Sequence, residues 1–411
     1  MFKRGVAAGL ALLMAAVCCG AELSVWNMPP DSDKFYRQLW NEATQSFERM
    51  NPGVKIRGIS REYKPQEFVS VMASGKGPDV VRIPIAAIPA MAKYGFLADL
   101  TPFTDKWIQK DYLPSIMWRA VTVEGKTYGV PYDSNFTVLF YNKKIFNQAG
   151  LDRGPENWAE LVNYAKKIRQ KTGSWGLALQ PDMFNFIDFI WQAGGDIYRG
   201  RDLNLNNAGV VKALKFWNSL KWEHSILPPQ NILYESDVEQ LFSTGKAAMM
   251  IGVAKRLPVM ARRYGLALDD VEIVPLPAGD TGIKAWHAGG DAFIINASIP
   301  DERKEIAWRY INNSLSPISQ LWQFMKMKEL GIPVFPGDFS ASTNLINRPE
   351  FANVKGLFDS AMAEPTFYRW PHIKEDFNRY VLEHIFINKN PDYEKLLFDF
   401  MERVKKEYYG G

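Results

Sequence analysis

Cysteine is nearly missing from this chain. Only Cys18 and Cys19 occur in 411 residues, so everything after them lacks disulfides, thiol nucleophiles and thiolate metal ligands. Histidine is almost as rare. His224, His287, His372 and His384 are the four, and no two share an H-x-x-x-H or H-x-H spacing, which leaves a zinc site without a ligand set. No G-x-S-x-G, G-x-x-x-x-G-K-[ST] or G-x-G-x-x-G occurs, so a nucleophile elbow and the common phosphate cradles are excluded. "SGKGPD" (Ser74 to Asp79) has glycines without the cradling spacing and reads as a tight helix-to-strand turn. The net charge of +4 is small for this length, with no case for nucleic acid. Carboxylates are plentiful and a glycosidase needs only two, but nothing in the sequence singles out a pair. The expectation is a non-enzyme without metal or cofactor.

What is present is ordinary in bulk and specific in detail. With 47% hydrophobic and 23% charged residues the chain can bury a sizeable core, and its length suggests two or three domains. Aromatics reach 13%, with 13 Trp, 17 Tyr and 25 Phe, enough for large cores or for platforms under a ligand with flat apolar faces. The start, "MFKRGVAAGLALLMAAVCCGAELSVW", joins basic Lys3 and Arg4 to an apolar run from Gly5 to Val17 and small residues up to Ala21. That pattern is a secretory signal peptide over residues 1–21, too short to span a bilayer as a helix. A lipid anchor at Cys18 or Cys19 is the weaker alternative, because the preceding residues fit a lipobox poorly. No later run is long and apolar enough for a membrane helix, so a free periplasmic protein is expected.

Strand and helix patterns then alternate. "ELSVWNM" reads as a strand, followed by a helix from about Asp33 to Met50 capped by Asp31 or Ser32. "VKIRGI" and "DVVRIP" are further strands, with a helix near Gln66–Ser74 between them. After "GKTYGVPY" the pattern restarts with "VLFYN", "WAELVNYAKKIRQKTG", "WGLAL", "FIDFIWQAGG" and "AAMMIGV", and the region from Glu350 to Tyr409 reads as mostly helical. The alternation predicts α/β units with largely parallel sheets. In "YGVPYDSNFTVLFYNKKIF", a row of hydrogen-bonding side chains stands at the entrance to a buried strand. Each would cost roughly 1–3 kcal/mol if left unpaired.

Seven blocks, taken in order, carry a family resemblance: "FERMNPGVKIR", "ASGKGPDVVRIP", "KYGFLADLTPF", "GKTYGVPYDSNFTVLFYNKKIF", "WAELVNYAKKI", "GKAAMMIGV" and "GGDAFIINASIPDERKEIAWRYINNSLSP". Together they resemble the extracellular solute-binding proteins of family 1, the sugar-type receptors of ABC importers. The resemblance implies an α/β, two-lobed periplasmic-binding-protein type II fold with a ligand cleft between lobes and multiple chain crossings. It places residues 22–130 and 287–332 in one lobe and 133–286 and 333–411 in the other. It implies a monomeric receptor that closes on a carbohydrate and delivers it to membrane permease subunits. The family's maltose receptors have a charged stretch where this chain has "IPIAAIP", and a Trp-rich one where it has "VAKR". A smaller or differently linked sugar is therefore expected.

Sugar recognition calls for Asp, Asn and Arg beside Trp or Tyr on strand ends and loops. Trp26 and Asn27 end the first strand, Glu62 and Tyr63 follow the second, and Arg82 closes the third. Asp133 and Asn135 sit at the first crossing, and Trp286, His287, Gly289, Gly290 and Asp291 at the return crossing. Phe184 and Asn185 match a ligand loop of the family, and Tyr368, Arg369 and Trp370 stand in a C-terminal loop. Arg82, Arg256 and Arg369 raise the alternative of an anionic polyol such as a glycerophosphodiester, since Arg suits anions.

Overall fold

Short polar side chains start several of the helices. Asn157 accepts from the Glu160 N–H at 2.9 Å and Asp182 from the Phe184 N–H at 2.6 Å, and each satisfies a donor that the first helical turn leaves over. Asp33 does the same for the helix Lys34–Met50, so that helix is capped at Asp33 rather than at Asp31 or Ser32. Gly173, at φ 76°, ends the helix Trp158–Thr172 in the left-handed conformation that glycine adopts without strain. The computed structural model describes residues 20–113, 115–133, 135–199, 202–230, 233–329, 360–365 and 369–410. The expected leader, most of the first part of the helical C-terminal region and the expected third crossing near residue 332 lie outside these residues.

Two sheets organise the molecule. The first contains β1 (Ala21–Trp26), β2 (Val54–Ile59), β3 (Val80–Pro84), β6 (Val130–Pro131) and β14 (Asp291–Ile295), in the order β2-β1-β3-β14-β6. Small hairpins lie outside it, β4 (Thr122–Val123) with β5 (Lys126–Thr127) and β9 (Tyr198–Arg199) with β10 (Asp202–Leu203). The second sheet runs β15-β13-β7-β11-β8. Its strands are β7 (Asn135–Asn142), β8 (Trp175–Ala178), β11 (Ala247–Val253), β13 (Trp286–Gly289) and β15 (Ala361–Ala363). A further strand, β12 (Val271–Val274), pairs with the far end of β7.

Neither sheet is as parallel as the alternation suggested. β1 runs parallel to β2 and β3, and β8 to β11, but β14 is antiparallel to β3, and β7 to β11, β12 and β13. The reason is the crossing itself. β7 and β14 enter their sheets from the cleft, whereas the strands beside them end at it. A chain that arrives from the other lobe therefore runs against its new neighbours.

Side-chain alternation fills both faces of the first sheet. Val80, Phe293 and Ile295 pack on one side with Leu23, Phe47 and Tyr310; Val81, Ile83, Ala292 and Ile294 pack on the other with Phe68 and Met91. The second sheet has one large core, in which Val138 to Phe140 meet Phe186, Phe189, Trp217 and, from the C-terminal helices, Phe377 and Phe400. Among the described residues no helix is long and apolar enough to cross a membrane.

Candidate functional site

The two crossings lie side by side. Asp133 Oδ1 accepts from the Asp291 N–H at 2.7 Å, and the Tyr132 N–H donates to the Asp291 carbonyl at 2.8 Å. Gly290, at φ 144°, sits where a Cβ would run into the Asp133 carbonyl, so glycine is required by both conformation and space. β13 ends at Gly289 in the second sheet and β14 begins at Asp291 in the first. Gly290 is thus the link between the two sheets, within the stretch Trp286 to Asp291 that the sequence marks as the return crossing.

Directly over these crossings is a cavity of about 460 Å³. Strand direction explains who lines it, since ligands in such sheets bind outside the carboxyl ends of the strands. β3 continues into Pro84, Ile85 and Ala86; β8 into Gln180 and Asp182; β11 into Val253, Lys255 and Arg256; β15 into Glu364. The first sheet's wall is small and apolar, with Ala120 completing it, and the polar groups come almost entirely from the second.

Of the residues picked out by sequence, Asn135, Phe184, Asn185, His287, Gly289, Gly290 and Asp291 line the cavity. The other described ones are set back from it. Trp26 is buried edge-on to Phe68 at 5.9 Å, and Tyr63 packs on the same ring at 5.2 Å. Trp286 and Trp370 are buried in the second sheet's core. Glu62 is exposed on its loop, and Arg369 lies over the Tyr409 ring at 5.2 Å. Asn27, at φ 64°, accepts the Arg82 N–H at 2.7 Å and so fixes the β1–β3 ends. Arg82 lies over the Tyr132 ring at 4.3 Å. Burial opposes its charge, but Tyr132, Asp291 and Asp133 outweigh burial and raise its pKa. Tyr368 lies outside the described residues.

Gln180, Asp182, Glu235, Glu239, Lys255, Glu364 and Lys374 line the cavity without having been singled out. For several the missed signal is position just after a strand. Glu239 and Lys374 sit on helices, and no local pattern marks them.

The cavity's charges are mostly spent on one another. Arg256 Nε donates to the fully buried Glu239 at 2.5 Å and its other arm lies 3.4 Å from Glu235. Lys374 donates to Glu364 at 2.8 Å, and Lys255 stands 3.7 Å from Asp133. Burial pushes the Glu364 carboxyl up, but Lys374 and His287 more than reverse this and hold it below the usual range. Burial lowers His287 to about 4, so at neutral pH its 4.0 Å approach to Glu364 is not an ion pair. His287 also meets the Phe184 ring edge-on at 4.2 Å. Desolvation raises Asp133, Asp182 and Glu235, and fully buried Asp188 is raised well above its ordinary value.

Two lobes joined at adjacent crossings, with a cavity between them walled by both, have the architecture of a solute-binding protein. Comparison with known proteins supplies the family. Residues 29–321 match the model for bacterial extracellular solute-binding proteins, and the chain belongs to that family. It is 27% identical over 308 residues to the lactose-binding protein of Rhizobium radiobacter, covering 70% of this chain and 71% of that one. The maltose-bound MalE3 structure of T. maritima superposes with a TM-score of 0.79 at 22% identity, covering 94% of this chain and 99% of the other. UgpB of Mycobacterium tuberculosis, in complex with glycerophosphocholine, superposes with a TM-score of 0.77 at 20% identity, covering 94% and 98%.

Proposed function

We propose that this protein is the extracytoplasmic receptor of an ABC importer for a carbohydrate of one or a few sugar units, bound in the interlobe cavity as a monomer and passed to permease subunits in the membrane. The observation that carries the reading is the division of labour in the cavity. One wall, Pro84, Ile85, Ala86 and Ala120, suits the C–H face of a sugar ring. The opposite wall presents Asn135, Gln180, Asn185 and carboxylate oxygens that accept from hydroxyl groups. The match to sugar-binding relatives supports the same class. The ligand contacts proposed from the sequence are Asn135, Phe184, Asn185, His287 and the backbone around Gly289 to Asp291, joined here by Gln180, Asp182, Glu239 and Arg256.

The three cations of the cavity, Lys255, Arg256 and Lys374, already face protein carboxylates. An anion would have to displace one of them, which favours a neutral sugar over a glycerophosphodiester. The carboxylates are engaged too: Glu239 by Arg256, Glu364 by Lys374, and Asp182 by its helix cap and Asn378. For the lobes, the strand partition supports a first crossing between 131 and 135 and a return at Gly290.

The test is a thermal-shift screen of the purified protein against mono-, di- and oligosaccharides, with glycerophosphocholine and glycerol 3-phosphate alongside. A ligand at 100 times its Kd stabilises by about 2.7 kcal/mol. A shift with sugars alone is the expected result. No sugar response with a response to the phosphodiester would replace the reading with the anionic one.

A further inference from the structure

Outside the cavity lining, the two lobes share a contact that the sugar reading does not use. Arg262, in the helix Leu257–Tyr264, reaches Asp33 with an Nη2 to Oδ2 distance of 3.7 Å, and its guanidinium lies 5.1 Å from the centre of the Tyr36 ring. The two sides belong to different lobes. The Arg262 helix follows Lys255 and Arg256 of the cavity wall and buries Leu257 and Met260 in the second sheet's core. Asp33 and Tyr36 open the helix Lys34–Met50, which follows β1 of the first sheet.

Both sides are held in place before they meet. Asp33 Oδ1 accepts from the Tyr36 N–H at 3.4 Å, which leaves Oδ2 for the arginine. The loop ahead of it is tied by Arg37, which donates to the Pro29 carbonyl at 2.5 Å and pairs with Asp31 at 3.2 Å. Arg262 remains 43% exposed and Asp33 32%. The contact is therefore worth little to folding. Its consequence lies elsewhere. Because its two sides belong to different lobes, the contact is kept only while those lobes stay together at this point.

We infer that Arg262 is a latch that closes onto Asp33 and Tyr36 and biases the empty receptor toward its closed form. An ion pair in partial contact with water and one guanidinium–ring contact together change the closed-to-open ratio by roughly threefold to tenfold. The ligand-binding free energy then has less closure to drive, because a competent state that is already populated raises apparent affinity by the same factor.

The test needs no ligand, so its outcome is independent of which solute the receptor takes. Spin labels are placed at Gln66→Cys and Ser236→Cys, two exposed positions on opposite lobes, in full-length protein with Cys18 and Cys19 replaced by serine. Pulsed electron–electron resonance then reads the interlobe distances. Arg262→Ala and Asp33→Asn are compared with the parent; the asparagine keeps the helix-capping oxygen and removes the charge. The expected result is a threefold to tenfold gain of the long-distance population in both, with the melting temperature held within a degree or two. Arg263→Ala, next in sequence and lying over Tyr264, leaves the distribution unchanged. Parent-like distributions in both Arg262→Ala and Asp33→Asn would overturn the latch, as would an equal shift in Arg263→Ala.

Discussion

His287 shows how one buried side chain ties stability to pH. Burial sets its pKa at about 4 in the folded protein, against about 6.5 in the unfolded chain. The unfolded state therefore takes up a proton first as pH falls. Stability is lost from about pH 6.5 downward, reaching on the order of 3 kcal/mol at pH 4. Glu364 beside it is held below the usual range and stays charged through the upper part of that window. Urea unfolding of His287→Gln at pH 7 and pH 5 is expected to show a smaller acid loss than the parent; identical losses would mean that His287 carries its proton when folded. Asp188 has the opposite sign. Burial raises it, so its folded form favours the protonated state, and stability is lost as pH climbs above the ordinary carboxylate range. Asp188→Asn is expected to stabilise the protein at pH 7 by more than about 1 kcal/mol, because the unfolded chain no longer gains by ionising there. The buried Lys374–Glu364 pair is a third case. Lys374→Met strands a buried carboxylate and should cost about 3–5 kcal/mol, read by the same unfolding experiment.

Among the described elements, the helix Met183–Gln192 is closely packed. Nearly all of it is buried, and it carries Phe184 and Asn185 to the cavity at its N-terminal end. Its C-terminal turn leads to Gly195, which touches Gly209 at the start of the helix Ala208–Trp222. A Cβ on Gly209 would collide with the Gly195 backbone, and backbone cannot swing aside as a side chain can. Gly209→Ala is therefore expected to destabilise by about 1–3 kcal/mol, seen as a lower urea midpoint with an unchanged slope. Sugar affinity of the folded fraction should persist, since neither glycine lines the cavity. Most elements were legible in the sequence for the same kind of reason. Val138 to Tyr141 form an apolar run too short for a helix, and "WAELVNYAKKIRQKTG" has an apolar stripe, a capping Asn157 before it and a closing Gly173. Strand direction was less legible, because antiparallel β7 and β14 follow from where the chain comes from rather than from their own residues.

At the scale of the whole molecule, the proposed function calls for two bodies that move about two adjacent strands. Small-angle scattering with a sugar identified by thermal shift should give a smaller radius of gyration than the empty protein. Gly290→Ala, which drives a Cβ into the Asp133 carbonyl, is expected to lower the melting temperature and to reduce that change. An unaltered radius in the parent at saturating sugar would argue against closure.

The amino-acid sequence by itself determined the composition of the two cores, the alternation of strands and helices, the absence of thiol chemistry beyond Cys19 and the crossing segments around Asp133 and Gly290. These are written locally, in periodicity, caps and breakers. It also singled out Asn135 at the start of β7, His287 within β13 and Asn185 in the helix Met183–Gln192, and all three line the cavity. Only the tertiary structure decided which aromatic rings face the cavity. Trp26, Trp286 and Trp370 have the composition of a sugar platform but fill cores, because an indole buries the same apolar area in either place. It likewise decided that Glu364 meets Lys374, that Arg256 meets Glu239, and that Arg262 reaches Asp33 of the other lobe. Those pairs lie between 10 and 229 residues apart in sequence. Coulomb attraction and desolvation depend on distance through space, which a sequence leaves open until the lobes are folded and set against each other.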